Sequence, residues 1–303
     1  MSLQPSPFPE PPIDDQKSIH ELQGQSMWKN TLSQLIKNKT SLIGFSIILL
    51  IVFTAILAPL IATHSPTAQS ITDRYLAPSP AHYLGTDELG RDIFSRLIYG
   101  TRISIQIAII SVGISLIIGV ALGGIAGYFG RWIDQVIMRM IDMMMAFPSI
   151  LLAIALVAVL GPGLRNAMIA VGIVGIPQFA RIVRSTVMSV KETEYIEAAR
   201  AIGAKHGRIL FQHILPNSLA PIIVQVSLGM GTAILDAAGL SFLGLGAQPP
   251  LPEWGAMLSD GRAALQTAPW VVAFPGLAIF LFVLGFNLFG DGLRDALDPR
   301  LKE

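Results

Sequence analysis

Apolar residues in this chain fall in long uninterrupted runs, not at the two- or 3.6-residue intervals of a soluble core. Ser41–Ala62 is a 22-residue run with no charge, longer than the roughly 20 residues a helix needs to cross a bilayer. Further runs cover about Ile103–Tyr128, Val136–Leu160, Ala167–Arg184, Asn217–Leu243 and Trp270–Phe289. The pattern predicts six spanning helices, linked by short turns except at His64–Arg102 and Ile182–Pro216. Lys and Arg sort accordingly. Fourteen (Lys17, Lys29, Lys37, Lys39, Arg131, Arg181, Arg184, Lys191, Arg200, Lys205, Arg208, Arg294, Arg300, Lys302) fall in the segments assigned inside, against six outside (Arg74, Arg91, Arg96, Arg102, Arg165, Arg262). That bias places both termini in the cytoplasm.

Composition agrees with a membrane protein: 52% of the 303 residues are hydrophobic and 14% charged, where soluble domains carry about 25% charge. A net charge of +1 gives no electrostatic case for nucleic acid. The chain has no Cys, and its five His are scattered, so no metal site is expected from spacing. No G-x-x-x-x-G-K-[ST] phosphate loop, G-x-S-x-G or H-E-x-x-H occurs. No ATP site, catalytic residue or cofactor is therefore expected on this chain, and any ATP used must be bound by another.

Within the spans, Gly119, Gly123 and Gly127 make two overlapping small-xxx-small pairs, which predict close helix packing. Pro148, Pro177 and Pro275 fall inside spans, where neighbouring helices must satisfy the freed carbonyls. Three intramembrane polar residues are candidates for a pore or a buried pair. Arg139 and Asp142, three apart on one helical face, are spaced to pair with each other; an unpaired Arg at the bilayer centre costs about 3 kcal/mol. Asp236 lies late in the fifth run, near an outer mouth or beside hydroxyl groups. Met138, Met140, Met143, Met144 and Met145 suit an adaptable packing surface. Asp87, Glu88, Arg91 and Asp92 read as a charged, solvated elbow leading into the second span.

The inner loop predicts a helix-turn-helix elbow. Thr193 stands at the cap of a helix with Glu194 and Glu197 in its early turn, Gly203 at its end, and a second helix from about Lys205 to Ile214 before Pro216. The small residues Ala198, Ala199 and Ala201 suit insertion into a groove on another protein, or a helix resting on lipid headgroups.

Glu197-Ala-Ala, Gly203 and Leu215-Pro216 resemble, in type and spacing, the coupling loop of permease subunits of bacterial ABC importers; that pattern has Ile where this chain has His213. Gly85-Thr-Asp-Glu-Leu-Gly-Arg-Asp-Ile-Phe-Ser-Arg, Leu240-Ser-Phe-Leu-Gly-Leu-Gly-Ala-Gln-Pro-Pro250, Glu253-Trp-Gly-Ala-Met-Leu258 and Gly290-Asp-Gly-Leu-Arg-Asp-Ala-Leu-Asp-Pro-Arg300 are similar to the C-type permeases of the dipeptide, oligopeptide, nickel and glutathione branch. The resemblance implies an all-α polytopic fold of six transmembrane helices, the type I ABC importer transmembrane domain, N-in and C-in. It implies half of a pore for di- or oligopeptide uptake, with nickel or glutathione as alternative cargo; a secondary transporter driven by ion gradients is the competing class. Implied partners are a homologous B-type permease, two cytoplasmic ATPases that hold ATP and Mg, an extracytoplasmic substrate-binding protein, and membrane lipid. Glu197, Ala198, Ala199, Gly203, Leu215 and Pro216 are the residues implied to dock an ATPase. The organisation expected is a disordered cytoplasmic tail (1–27), an anchor helix with an extracytoplasmic loop (28–100), and the transmembrane domain (101–303) with its coupling loop at about 185–216.

Overall fold

The computed structural model describes residues 34–297, so the tail at 1–27 and the basic residues Lys17, Lys29, Arg300 and Lys302 lie outside the described residues. The described chain is nearly all helix, with one isolated bridge between Thr86 and Asp92. The main helices are α1 (Lys39–Ile56), α2 (Ile93–Phe129), α3 (Arg131–Met145), α4 (Ser149–Leu160), α5 (Leu164–Lys191), α6 (Glu194–Ala201), α7 (Leu219–Phe242), α8 (Trp254–Gly261) and α9 (Trp270–Leu297). Five of them, α1, α2, α5, α7 and α9, are long and apolar enough to cross a membrane; counting the bent α3–α4 pair as one span makes six.

Side chains at the helix starts satisfy N–H groups that have no partner within the helix. Asn38 Oδ1 accepts from Thr40 and Ser41 N–H at 3.0 and 3.3 Å to begin α1. Asp92 Oδ2 accepts from Ser95 N–H at 2.8 Å to begin α2. At 37 residues α2 is about 55 Å long, well beyond the apolar thickness of a bilayer.

Helices α2 and α5 pack along the glycine ridge expected from the sequence. A Cβ added at Gly119 would sit 2.4 Å from Phe179 Cβ, at Gly123 2.3 Å from the Ala180 carbonyl oxygen, and at Gly127 2.8 Å from that of Arg184. Ser111 and Ser115 hydroxyls stitch the same seam by donating to the Met168 and Gly172 carbonyls at 3.0 and 2.6 Å. The main core continues from this seam through Ile107 and Val112 of α2, Ala233 and Ala237 of α7, Trp254 of α8 and Phe282 of α9. Much of α1 faces outward with Ile43, Phe45, Leu49, Leu50 and Phe53 exposed, an arrangement stable only against lipid or another apolar partner.

The third apolar run is not one straight span. It divides at Ala146–Pro148 into α3 and α4, which meet at 94°. Pro148 supplies no N–H to continue the ladder, and the residue before a proline is steered out of helical geometry. The helix starts at Arg131, five residues before the expected run, so Arg131 and Asp134 join the expected Arg139 and Asp142 and make α3 amphipathic. Nor do Arg139 and Asp142 pair with each other: Asp142 accepts from Arg181 of α5 at 2.5 Å, while Arg139 is exposed. Asp134 is held by Arg184, also of α5, whose second nitrogen lies 2.6 Å away. Opposite charges on two crossing helices meet, so α3 lies against the polar end of α5.

The charged segment before α2 is largely buried, not solvated, with Glu88 alone of its charges half-buried. Asp87, Arg91, Asp92 and Arg96 are each at most 3% exposed. Asp87 accepts from the Leu89 and Arg91 N–H groups at 2.9 Å and from Arg91 Nε at 2.6 Å, with Arg96 Nε at 3.4 Å. Arg91 reaches on to Asp260 of α8 at 3.4 Å. Buried charges persist only when paired and hydrogen-bonded, and this cluster fastens the 62–92 loop to α2 and α8. Glu253 opens α8 by accepting from Gly255 and Ala256 N–H at 2.8 Å. Burial raises its carboxyl above the ordinary range, and those two bonds partly restore it.

Candidate functional site

Two features converge on α2, α5 and α7: the elbow between α5 and α7 at one end, and a polar cavity farther along. The elbow starts where α5 stops at Lys191. Thr193 occupies the cap position of α6, but its hydroxyl donates backwards to the Val190 carbonyl at 2.6 Å instead of accepting from α6. At the other end Gly203 adopts φ +81°. Its N–H donates to the Arg200 carbonyl at 2.9 Å, and Ala204 N–H donates to that of Ala199 at 3.1 Å, the paired closure a glycine permits at a helix end. The second half begins at His206–Arg208, continues as a π-helical turn over Ile209–Ile214, and passes through Leu215–Asn217 into α7. The expected second helix is present, with a wider turn than a regular one.

The elbow is anchored on one face and bare on the other. Ile196, Ile209 and Ile214 are fully buried against Val183 and Val187 of α5 and Tyr128 of α2. Tyr128 Oη lies 2.7 Å from His206 Nδ1, and Asn217 Nδ2 donates to Tyr195 Oη at 3.1 Å. Of the residues expected to dock a partner, Glu197, Ala198 and Gly203 are on the exposed face, Pro216 is exposed farther along, Leu215 is half-buried, and Ala199 turns inward at 9% exposure. Tyr195, Ile202 and Phe211 extend the exposed face, Ile202 at 86%. Of these, Ile202 and Phe211 are the side chains the sequence did not single out; apolar residues on either side of Gly203 were the available signal.

The cavity, of about 80 Å³, is lined by Ser111, Ser115, Ser149, Gln178, Thr232 and Asp236 together with Val112, Val171, Phe179 and Ala233. Gln178 bonds Gln225 across α5 and α7 at 3.1 Å. Asp236 therefore faces a polar, half-buried space, whereas Arg139 and Asp142 stand elsewhere, on α3. The cavity holds no more than a few waters. A passage for a larger solute needs a second wall.

Residues 119–303 match the family described as binding-protein-dependent transport system inner membrane component. The chain belongs to that family. Residues 26–78 of the permease also match the N-terminal transmembrane domain of oligopeptide transport permease C. Among curated relatives, a dipeptide transport system permease protein of Alkalihalophilus pseudofirmus is 55% identical over 99% of this chain and 97% of its own length. A glutathione transport system permease protein of Pectobacterium atrosepticum is 57% identical over 74% and 75%. A chain of the MetNI methionine ABC transporter, solved in inward-facing conformations, superposes with TM-score 0.56 at 19% identity, covering 67% of this permease and 96% of that chain. The all-helical ABC importer fold expected from the loop motifs is therefore the fold found, and this is a multi-pass inner-membrane permease component of a transport system.

Proposed function

We propose that this permease forms half of the translocation pore of an ABC importer for di- and oligopeptides. The other half is a homologous B-type permease, two cytoplasmic ATPases hydrolyse ATP with Mg, and an extracytoplasmic binding protein delivers the peptide; this chain holds no cofactor. The elbow end is then cytoplasmic, with N-in and C-in topology. Residues 28–100 supply the anchor helix and outer loop, and 101–303 the transmembrane domain with its coupling loop at about 185–216. The observation carrying this reading is the elbow's exposed face of Glu197, Ala198 and Gly203, edged by Tyr195, Ile202 and Phe211, on a base fixed to α2 and α5. In this reading Ala199 keeps that base thin, Leu215 and Pro216 turn the elbow into α7, and Asp236 faces the passing solute.

The test is uptake and ATP hydrolysis by the reconstituted five-chain transporter carrying Glu197→Lys. Hydrolysis without uptake, with normal membrane insertion, is the expected outcome; unchanged uptake would remove the elbow from the coupling path. Glutathione is the second cargo, supported by the 57% identical glutathione permease. Uptake of dipeptides, longer peptides, nickel and glutathione in cells lacking the chain discriminates among the cargoes.

A further inference from the structure

His64 and His82 are eighteen positions apart and form no motif, yet folding of the 62–92 loop stacks their rings at 4.7 Å between centroids. His82 Nδ1 lies 2.9 Å from Asp92 Oδ1, and His64 Nδ1 lies 3.8 Å from the same oxygen. The ligating atoms of all three lie within 4.8 Å of one another, the only such His and carboxylate group among the described residues. They border a cleft of about 220 Å³ that also includes Gln69, Ser70 and Asp73. A structural His–Asp hydrogen bond needs one imidazole; here a second, whose Nδ1 meets the Thr63 hydroxyl at 3.0 Å, stands 3.8 Å from the same carboxylate oxygen.

We propose that His64, His82 and Asp92 bind a divalent transition cation of the zinc type, with a fourth position open to solvent. Bonds of about 2.0–2.1 Å in a tetrahedron separate neighbouring ligand atoms by roughly 3.3 Å, and the observed 2.9 and 3.8 Å bracket that edge. Two imidazoles with one carboxylate favour zinc-like ions over magnesium or calcium, which take oxygen. The ligands are held before any ion arrives. Asp92 Oδ2 is fixed by Ser95 N–H at 2.8 Å, and His64 N–H donates to Ser95 Oγ at 2.9 Å. The His82 carbonyl accepts from Ser79 and Gly85 N–H at 2.9 Å. The Ser95 bond orients the Asp92 carboxylate as bonds to metal ligands do, and the other bonds fix the backbone at His64 and His82. The charge also fits: among the described ion pairs Arg91 and Arg96 engage Asp87, leaving the Asp92 carboxylate without a guanidinium. His64, with its side chain 41% exposed, gives an ion access from the solvent side. A bound cation clips the start and the later part of the 62–92 loop, at His64 and His82, to the cap residue of α2.

The test uses the full-length chain in detergent, with its affinity tag removed and pre-treated with chelator, titrated with Zn²⁺ against a chromophoric competitor and separately with Mg²⁺. One zinc equivalent per chain is expected, with two imidazole nitrogens in its X-ray absorption spectrum. His64→Gln and His82→Gln should each weaken binding at least about tenfold, as should Asp92→Asn, which keeps an acceptor for the helix cap. Absence of saturable zinc binding, zinc affinity unchanged in both histidine variants, or Mg²⁺ bound as tightly as Zn²⁺ would each overturn the proposal.

Discussion

Gly123→Ala tests the α2–α5 seam with a single methyl group. The new Cβ would lie 2.3 Å from the Ala180 carbonyl oxygen and 3.0 Å from Val183 Cβ. The obstacle is backbone, so no side-chain rotation relieves it; the helices must part by about 1 Å, and a gap of that size forfeits roughly a quarter to a half of each dispersion contact along the seam. Overpacking of this kind costs about 1–3 kcal/mol. Gly124→Ala is the control one step around the helix, where an added Cβ meets nothing within 4 Å. Both variants gain the same helix propensity, about 1 kcal/mol, so their difference isolates the steric cost. That difference corresponds to roughly a 5- to 150-fold change in the folded-to-unfolded ratio. Unfolding of the purified chain in mixed micelles by graded SDS, followed by near-UV circular dichroism, measures it. If Gly123→Ala is as stable as Gly124→Ala, the ridge does not set the approach of α2 and α5.

Two further outcomes follow. At Gly203 the space beyond Cβ is empty and only the positive φ is demanding, so Gly203→Asn, tolerated in that region, is expected to keep the thermal stability of the isolated chain while lowering uptake per ATP hydrolysed in the assembled transporter; normal uptake would place Gly203 outside the docking face. Glu253 has a folded pKa raised above its ordinary 4.5, so ionisation is less favourable in the folded state, and stability declines as pH climbs from the unfolded value through the folded one. Glu253→Gln is expected to flatten that decline in the Tm profile above the ordinary glutamate range, and an unchanged slope would count against burial of the carboxyl.

The five long apolar helices were legible because a bilayer demands uninterrupted apolar length, which one sequence displays directly. Gly119, Gly123 and Gly127 were legible for a related reason: close helix approach requires small residues at a fixed interval. The bend between α3 and α4 was half legible. Pro148 was visible, but weighing it against four charges in α3 required placing α3 beside the polar end of α5. The pairs Asp142–Arg181 and Asp134–Arg184 join residues 39 and 50 positions apart, and no local pattern predicts such partners. Asp87 and Arg91 looked solvated because charge normally is; their burial depends on Asp260 arriving from α8. At the elbow, the Glu197–Pro216 spacing was readable, but Ala199 lies one turn after Ile196, on the face that Ile196 buries against Val183, Val187 and Tyr128, and that face was set by tertiary packing.

Helix α2 joins the two faces of the molecule without a hinge. It contains no proline, whereas α5 carries Pro177 and α9 Pro275, and its 37 residues run from Ile93, next to Asp92 among the buried charges of the 62–92 loop, to Phe129, next to Tyr128, which is bonded to His206 of the elbow. A rod of this kind has one tilt, not two. To the extent that reorienting the elbow is felt at the 62–92 loop through α2, a cation or protein bound at that loop biases the elbow by that same coupling free energy.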